Sequence, residues 1–182
     1  MELLINNELR NTQKKHVHVA QNSGNNEWYT PRGIVIAAKT AMGSIDCDPA
    51  SSEVANQTVG ASVFFTKEDD GLEQQWHGNV WLNPPYAQPL VAQFAKAIVT
   101  KYWVGEFQQA CILVNNASET MWFQSLLWVA AGICLPRGRI RFVSPDGRKQ
   151  GAPLQGQAIL YIGDNLQRFA DAFANLGAIL SV

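Results

Sequence analysis

The sequence carries no surplus of charge: 14 Lys and Arg stand against 15 Asp and Glu in 182 residues, a formal net charge of −1. That excludes a broadly polybasic, histone-like protein, so any contact with nucleic acid has to be local. Nowhere does an apolar run approach the ~20 residues that span a bilayer. The polar start MELLINNELRNTQKK lacks the charged-then-apolar order of a secretory signal. A cytoplasmic protein with no membrane partner is expected. Cysteine is scarce: Cys47, Cys111 and Cys134 lie far apart, each in an apolar run, which reads as three buried thiols. There is no CxxC pair and no HExxH, and only His16 and His18 lie close together, in a polar lead-in. No structural metal is expected. GxxxxGK(S/T), GxGxxG and GxSxG are absent as well, which argues against a P-loop NTPase, the usual dinucleotide binder and an α/β hydrolase.

What is present suffices for one core. Hydrophobic residues make up 47% of the chain and charged residues 16%, which suits one globular domain and leaves no room for a second full-sized one. Residues 1–26, rich in Asn, Gln and Lys, read as a partly ordered arm, leaving 27–182 as the domain. Thr30-Pro31 then opens a helix over Gly33–Met42, with Thr as its cap, Pro at its first position and Gly43 as its stop. Strands are expected at Ser44–Asp48, Ala61–Phe65, Asn79–Leu82, Ala110–Val114, Ile133–Leu135, Ile140–Val143, Ala158–Ile162 and Ala178–Val182. Helical periodicity marks Leu90 to Ile98, Glu119–Ala131 and Asn165–Leu176. The alternation predicts an α/β fold, a mainly parallel sheet with helices on both faces and antiparallel pairing among the late strands. In such sheets ligands bind beyond the carboxyl ends of the strands, where Asp48, Asp69, Asp70 and Asn83 are expected to converge.

The strongest signal is Trp81-Leu82-Asn83-Pro84-Pro85-Tyr86, a buried strand that delivers an amide, two prolines and an aromatic ring at its mouth. The prolines fix backbone angles and remove two N–H donors, leaving carbonyls as acceptors. The Asn83 side-chain oxygen and the Pro84 carbonyl can together accept both hydrogens of a planar amino group, and Tyr86 can stack on the ring that carries it. An aromatic amine is a poor nucleophile because its lone pair is delocalised. Two acceptors favour its pyramidal form and aim the lone pair at an electrophile such as a sulfonium methyl, which is catalysis by orientation and directed dipoles. The competing reading is a Pro-Pro turn that merely ends a strand.

This tetrapeptide resembles the Asn/Asp-Pro-Pro-Tyr motif of S-adenosylmethionine-dependent amino methyltransferases. More closely, the chain resembles the small phage-type DNA N-6-adenine methyltransferases of the Dam group. The points of likeness are Glu27-Trp28-Tyr29-Thr30-Pro31, Asp46-Cys47-Asp48-Pro49-Ala50-Ser51, Phe64-Phe65-Thr66, Asp70-Gly71-Leu72, the clamp itself and Gly138-Arg139-Ile140-Arg141-Phe142. The resemblance implies a Rossmann-like methyltransferase fold with Asn83, Pro84, Pro85 and Tyr86 as the catalytic set. It also implies S-adenosylmethionine as cofactor, held by Trp28, Thr30, Pro31, Asp48, Pro49, Ala50, Asp70, Gly71 and Leu72. Asp48 would meet the charged amino-acid end of the cofactor and Asp70 its adenosine. One departure stands out: no glycine-rich turn follows the first strand, where Asp48-Pro49 runs into Ala50-Ser51-Ser52.

Charge is concentrated in one place. Arg137, Arg139, Arg141, Arg148 and Lys149 face a single acid, Asp146, a net +4 over residues 137–149. Alternation across Arg139, Ile140, Arg141 and Phe142 puts both arginines on one face, where they can neutralise phosphates of double-stranded DNA. The alternative is a solvated hairpin tip. An adenine inside a duplex cannot reach a cleft, so the reading implies base flipping, with a short recognition site read by loops; likeness to Dam suggests GATC. Cytosine amines, RNA bases and protein glutamine amides remain open as acceptors, as does a non-catalytic DNA-binding relative.

Overall fold

A computed structural model describes residues 29–143 and 155–182. The expected N-terminal arm, Trp28, Arg148 and Lys149 lie outside the described residues. All strands join one seven-stranded sheet in the order β2-β1-β3-β4-β6-β5-β7, where β1 is Cys47–Asp48, β2 Val63–Phe64, β3 Asn79–Leu82, β4 Gln109–Asn115, β5 Gly132–Pro136, β6 Gln157–Ile162 and β7 Gly177–Ser181. β1 to β4 run parallel to one another, β6 lies antiparallel between β4 and β5, and β7 is antiparallel to β5. Five strands therefore point one way and two the other. The expectation of a mainly parallel sheet holds for the half from β2 to β4. Across the whole sheet three antiparallel pairings balance three parallel ones, because the late β6 inserts between β4 and β5 instead of adding at an edge.

Alternation along the strands builds two cores. Trp81, Cys111, Leu113, Ile159 and Tyr161 face one side of the sheet, while Val80, Leu82, Ala110, Ile112, Leu160 and Ile162 face the other. Helices α1 (Arg32–Met42), α2 (Glu53–Val59) and α5 (Leu166–Phe173) cover the first side; α3 (Leu90–Trp103) and α4 (Met121–Leu127) cover the second. On the first side the Tyr161 and Phe169 rings stack with centroids 5.1 Å apart, and Phe169 meets Phe173 at 4.8 Å. Each such aromatic pair contributes about 0.5–1.5 kcal/mol beyond the area it buries. Cys47, Cys111 and Cys134 are all buried and unbridged. Burial pushes Cys47 and Cys134 up to about 11 and raises Cys111 too, which leaves them without thiolate character at neutral pH.

Three local expectations change. Helix α1 does end at Gly43, whose φ of 96° few other residues adopt and whose N–H bonds Lys39 at 2.7 Å. At its start, however, Pro31 occupies the cap position and the Thr30 side chain does not cap. Ile140–Val143 forms no strand: Val143 bridges Tyr29 alone, and the Ile140 N–H finds the Gln157 side chain at 3.3 Å. The alternation there is real, with Ile140 and Phe142 buried and Arg139 and Arg141 exposed, but among the described residues no strand lies alongside to complete a ladder. Helix α2 has no counterpart in the sequence reading. Only Val59 of it is buried, so it shows no apolar stripe, although Ser52 caps it through Ala55 N at 3.1 Å.

The amino ends of β1, β3 and β4 and the carboxyl end of the antiparallel β6 are tied by polar side chains. Asp46 accepts from Asn79 N at 2.9 Å, Asn79 donates to Ser44 Oγ at 2.7 Å, Gln109 donates to Asn79 Oδ1 at 2.9 Å, and the Tyr161 hydroxyl donates to Gln109 Oε1 at 2.8 Å. Removing one member strands its partners. Asn79→Ala is expected to lower stability by about 1–3 kcal/mol, read as a shift in the urea midpoint with an unchanged slope; an unshifted midpoint would show the network to be dispensable.

Candidate active site

β1 and β3 are neighbours, with Cys47 opposite Val80, and each runs into proline. Pro49 and Pro84 have no N–H for a ladder, so both strands stop and their chains turn away at the same edge. Between the turns lies a cavity of about 610 Å³. Asn83, Pro84, Pro85 and Tyr86 line it from β3; Asp48, Pro49 and Ala50 line it from β1; Asp70, Gly71 and Leu72 come from the loop after β2; and Thr30 comes from the segment before α1. Eleven of the expected residues thus share one space. Pro31 does not line it, being occupied at the start of α1, where its carbonyl accepts from Ile34 N at 3.0 Å.

The clamp is held by its neighbours. The Tyr86 hydroxyl donates to Asn83 Oδ1 at 3.0 Å, and Asn83 Nδ2 donates to Thr30 Oγ1 at 3.3 Å. These bonds fix which end of the amide is the acceptor and set the oxygen on the Tyr86 side. The Tyr86 ring meets Phe142 edge-on, centroids 6.1 Å apart, and burial of its hydroxyl raises its pKa. Thr30, expected both to cap a helix and to hold the cofactor, is 6% exposed and lines the cavity without capping α1.

Asp48 is 2% exposed. Desolvation pushes its carboxyl up to about 7. The Ala50 N–H donates to its Oδ1 at 3.3 Å, and the nearby Ser51 hydroxyl adds a favourable dipole without reaching hydrogen-bonding geometry; neither offsets the burial. Against this turn lies the loop after β2. A Cβ on Gly71 would collide with the Pro49 carbonyl, and the fully buried Trp76 holds the Gly71 carbonyl through its indole N–H at 2.7 Å. Asp70 sits at φ 50°, a left-handed position that Asp tolerates. Asp69 does not join the cavity: its carboxylate accepts from Thr66 N and Oγ1, both at 2.8 Å, which holds its pKa below the usual value.

Of the expected DNA-facing residues, Arg137, Arg139 and Arg141 do not line the cavity. Arg137, Arg139 and Arg141 are exposed, and Arg137 reaches the Ala174 carbonyl just past α5 at 3.4 Å. Phe142 and Val143 attach this segment to the site through Tyr86 and Tyr29. Among the cavity residues that sequence reasoning missed are Tyr29, Ser51, Lys67, Leu90 and Phe94. Phe94 and Leu90 read as the apolar face of α3, and Lys67 as part of a solvated charged run.

Residues 18–174 match the DNA N-6-adenine-methyltransferase (Dam) family. The chain is also similar to the DNA N-6-adenine-methyltransferase of Escherichia phage T1, 27% identical over 139 residues, covering 67% of this chain and 56% of the phage protein. It thus spans about half the length of that curated relative. No solved structure matches it. With most of its length inside the family match, the chain belongs to the DNA N-6-adenine-methyltransferase (Dam) family.

Proposed function

We propose that this chain transfers a methyl group from S-adenosylmethionine to the N-6 amine of an adenine flipped out of duplex DNA at a short site, with GATC as the first site to test. One observation carries the reading: the Asn83-Pro84-Pro85-Tyr86 clamp and the buried Asp48 open on one cavity. The residues fit the cofactor. The cavity lies within the ~300–1,000 Å³ usual for small-molecule sites, it offers carboxylates for an ammonium and for ribose hydroxyls, and Ser51 Oγ is buried in it without a hydrogen-bond partner among the described residues. When bound, S-adenosylmethionine supplies an electrophilic methyl group on a sulfonium.

The chain's own residues supply positioning. Asn83 Oδ1 and the Pro84 carbonyl accept the hydrogens of the amine, the incoming group displacing or sharing the oxygen that the Tyr86 hydroxyl occupies. Thr30 keeps the amide from rotating away. Tyr86 stacks on the base, Asp48 holds the ammonium, and Pro49, Ala50, Asp70, Gly71 and Leu72 receive the rest of the cofactor. No strong base is needed before attack, because the amine proton becomes acidic once the nitrogen bears positive charge. Arg139 and Arg141, exposed beside the buried Phe142, meet phosphates.

The direct test is incubation with isotopically labelled S-adenosylmethionine and unmethylated duplex DNA, followed by digestion and mass spectrometry of the nucleosides. Labelled N-6-methyladenine is expected; labelled cytosine would keep the clamp and change the base, and unlabelled DNA would overturn the reading. Asn83→Ala is expected to keep S-adenosylhomocysteine binding while transfer falls about a hundredfold or more; unchanged turnover would sink the clamp mechanism. For Arg139→Ala, weaker DNA binding and a salt slope lower by about 1 are expected, and an unaltered slope would remove it from the phosphate contacts. Asp48 keeps its proton up to about pH 7 in the folded chain, so binding an ammonium below that pH must expel it. Affinity for S-adenosylhomocysteine should then rise by up to about tenfold from pH ~5.5 to ~7, while the ligand's α-amino group, with a pKa of ~7.7–8.0, stays charged. Asp48→Asn should flatten that profile; an equally flat wild-type profile would contradict the ammonium role.

A further inference from the structure

The turn after β1 raises an accounting question. An amino-acid group brings a carboxylate as well as an ammonium, and a carboxylate leaving water needs donors. The backbone here has few left. Pro49 has no N–H, the Ala50 N–H is spent on Asp48 Oδ1 at 3.3 Å, and the Ser51 N–H is spent on the Phe65 carbonyl at 2.9 Å. With no glycine in Asp48-Pro49-Ala50-Ser51-Ser52, the turn leaves open only the Ser52 N–H, beside the first amides of α2.

Two side-chain donors in the same cavity are unspent. Ser51 Oγ is buried near Asp48, close enough to lower its pKa, but makes no hydrogen bond of good geometry among the described residues. Lys67 makes no ion pair or hydrogen bond among the described residues, although Glu68, Asp69 and Asp70 follow it; the Asp69 carboxylate is taken by Thr66. The sheet brings both toward Asp48. Asp48 pairs with Phe64 across β1 and β2, Phe65 N bonds the Asp48 carbonyl at 3.0 Å, and the Ser51 bond to Phe65 continues the contact to the start of the Thr66-Lys67 turn. Resting on the cofactor reading above, we propose that Lys67 and Ser51 bind the carboxylate of the cofactor's amino-acid end, opposite the ammonium held by Asp48. Side chains then do the work that backbone amides of a glycine-rich turn would otherwise do, and a carboxyl on one wall with a lysine on another reads the two charges in a fixed orientation.

The test is calorimetric titration of the full chain with three ligands: S-adenosylhomocysteine, its decarboxylated analogue, and 5′-methylthioadenosine, which lacks both charged groups. The wild type is expected to bind S-adenosylhomocysteine about tenfold more tightly than the decarboxylated analogue. Lys67→Met should erase that preference by weakening S-adenosylhomocysteine alone, leaving the other two within about twofold. Lys67→Arg should restore most of the loss, and Ser51→Ala should weaken S-adenosylhomocysteine in the same selective way by a smaller factor. If Lys67→Met weakens all three ligands equally, the lysine serves the nucleoside and the assignment fails. It fails equally if S-adenosylhomocysteine affinity is unchanged, or if the wild type binds all three ligands alike. A wild type that binds none of them overturns the cofactor reading and this assignment with it.

Discussion

Two adjacent parallel strands that both meet proline shape this molecule. A strand paired on both sides gives each successive N–H to one neighbour or the other, and Pro49 and Pro84 withhold it at the same edge of the sheet. The chains must diverge, and the last side chains before the break, Asp48 and Asn83, are left at the rim of the space that opens. Everything else keeps those two ends in register. The Asp46, Asn79, Gln109 and Tyr161 network locks the opposite edge, and two cores on either face prevent the short β1 from slipping.

Around that gap the polar groups are restrained by one another. Asn83 is pinned by Thr30 and Tyr86, and the Asp70 loop is pressed on Pro49 and tethered to buried Trp76. Little reorganisation is left for the moment a ligand arrives, which is where directed dipoles gain their value. The arginine-bearing segment is not independent of the clamp: Phe142 packs on Tyr86 and Val143 pairs with Tyr29. A shift at the protein surface there is transmitted to the ring beside the acceptor.

Much of this was legible in the sequence because it rests on local rules. Apolar periodicity located α3, β3, β4 and β6, the Asp-Pro and Asn-Pro-Pro stops located the cavity, and Gly43 ended α1 where expected. Other features depend on partners that sequence order does not name. The alternation at Arg139 to Phe142 correctly sorted inside from outside, yet could not say that no strand lies beside it. Helix α2 was invisible because a single buried residue leaves no stripe. Thr30 read as a cap as well as a site residue because Thr before Pro suits a helix start; its side-chain partner, Asn83, is 53 residues away. Ser51 and Lys67 sit in runs that resemble solvated loop, and only the spent amides around them distinguish the two.

The place of β6 has a temporal side. β4 and β5 are consecutive in the chain but do not pair; the facing edge of each is closed by β6, which begins at Gln157. Until that segment leaves the ribosome, β4 presents an open edge bearing Ile112, Leu113 and Val114, which are fully buried in the finished fold. The half of the sheet that carries the clamp is therefore synthesised early and sealed late. A chain that must hold such an edge unpaired while the segment from Asn115 to Gln157 is made depends on shielding, or on speed of closure, to avoid pairing with its own copies.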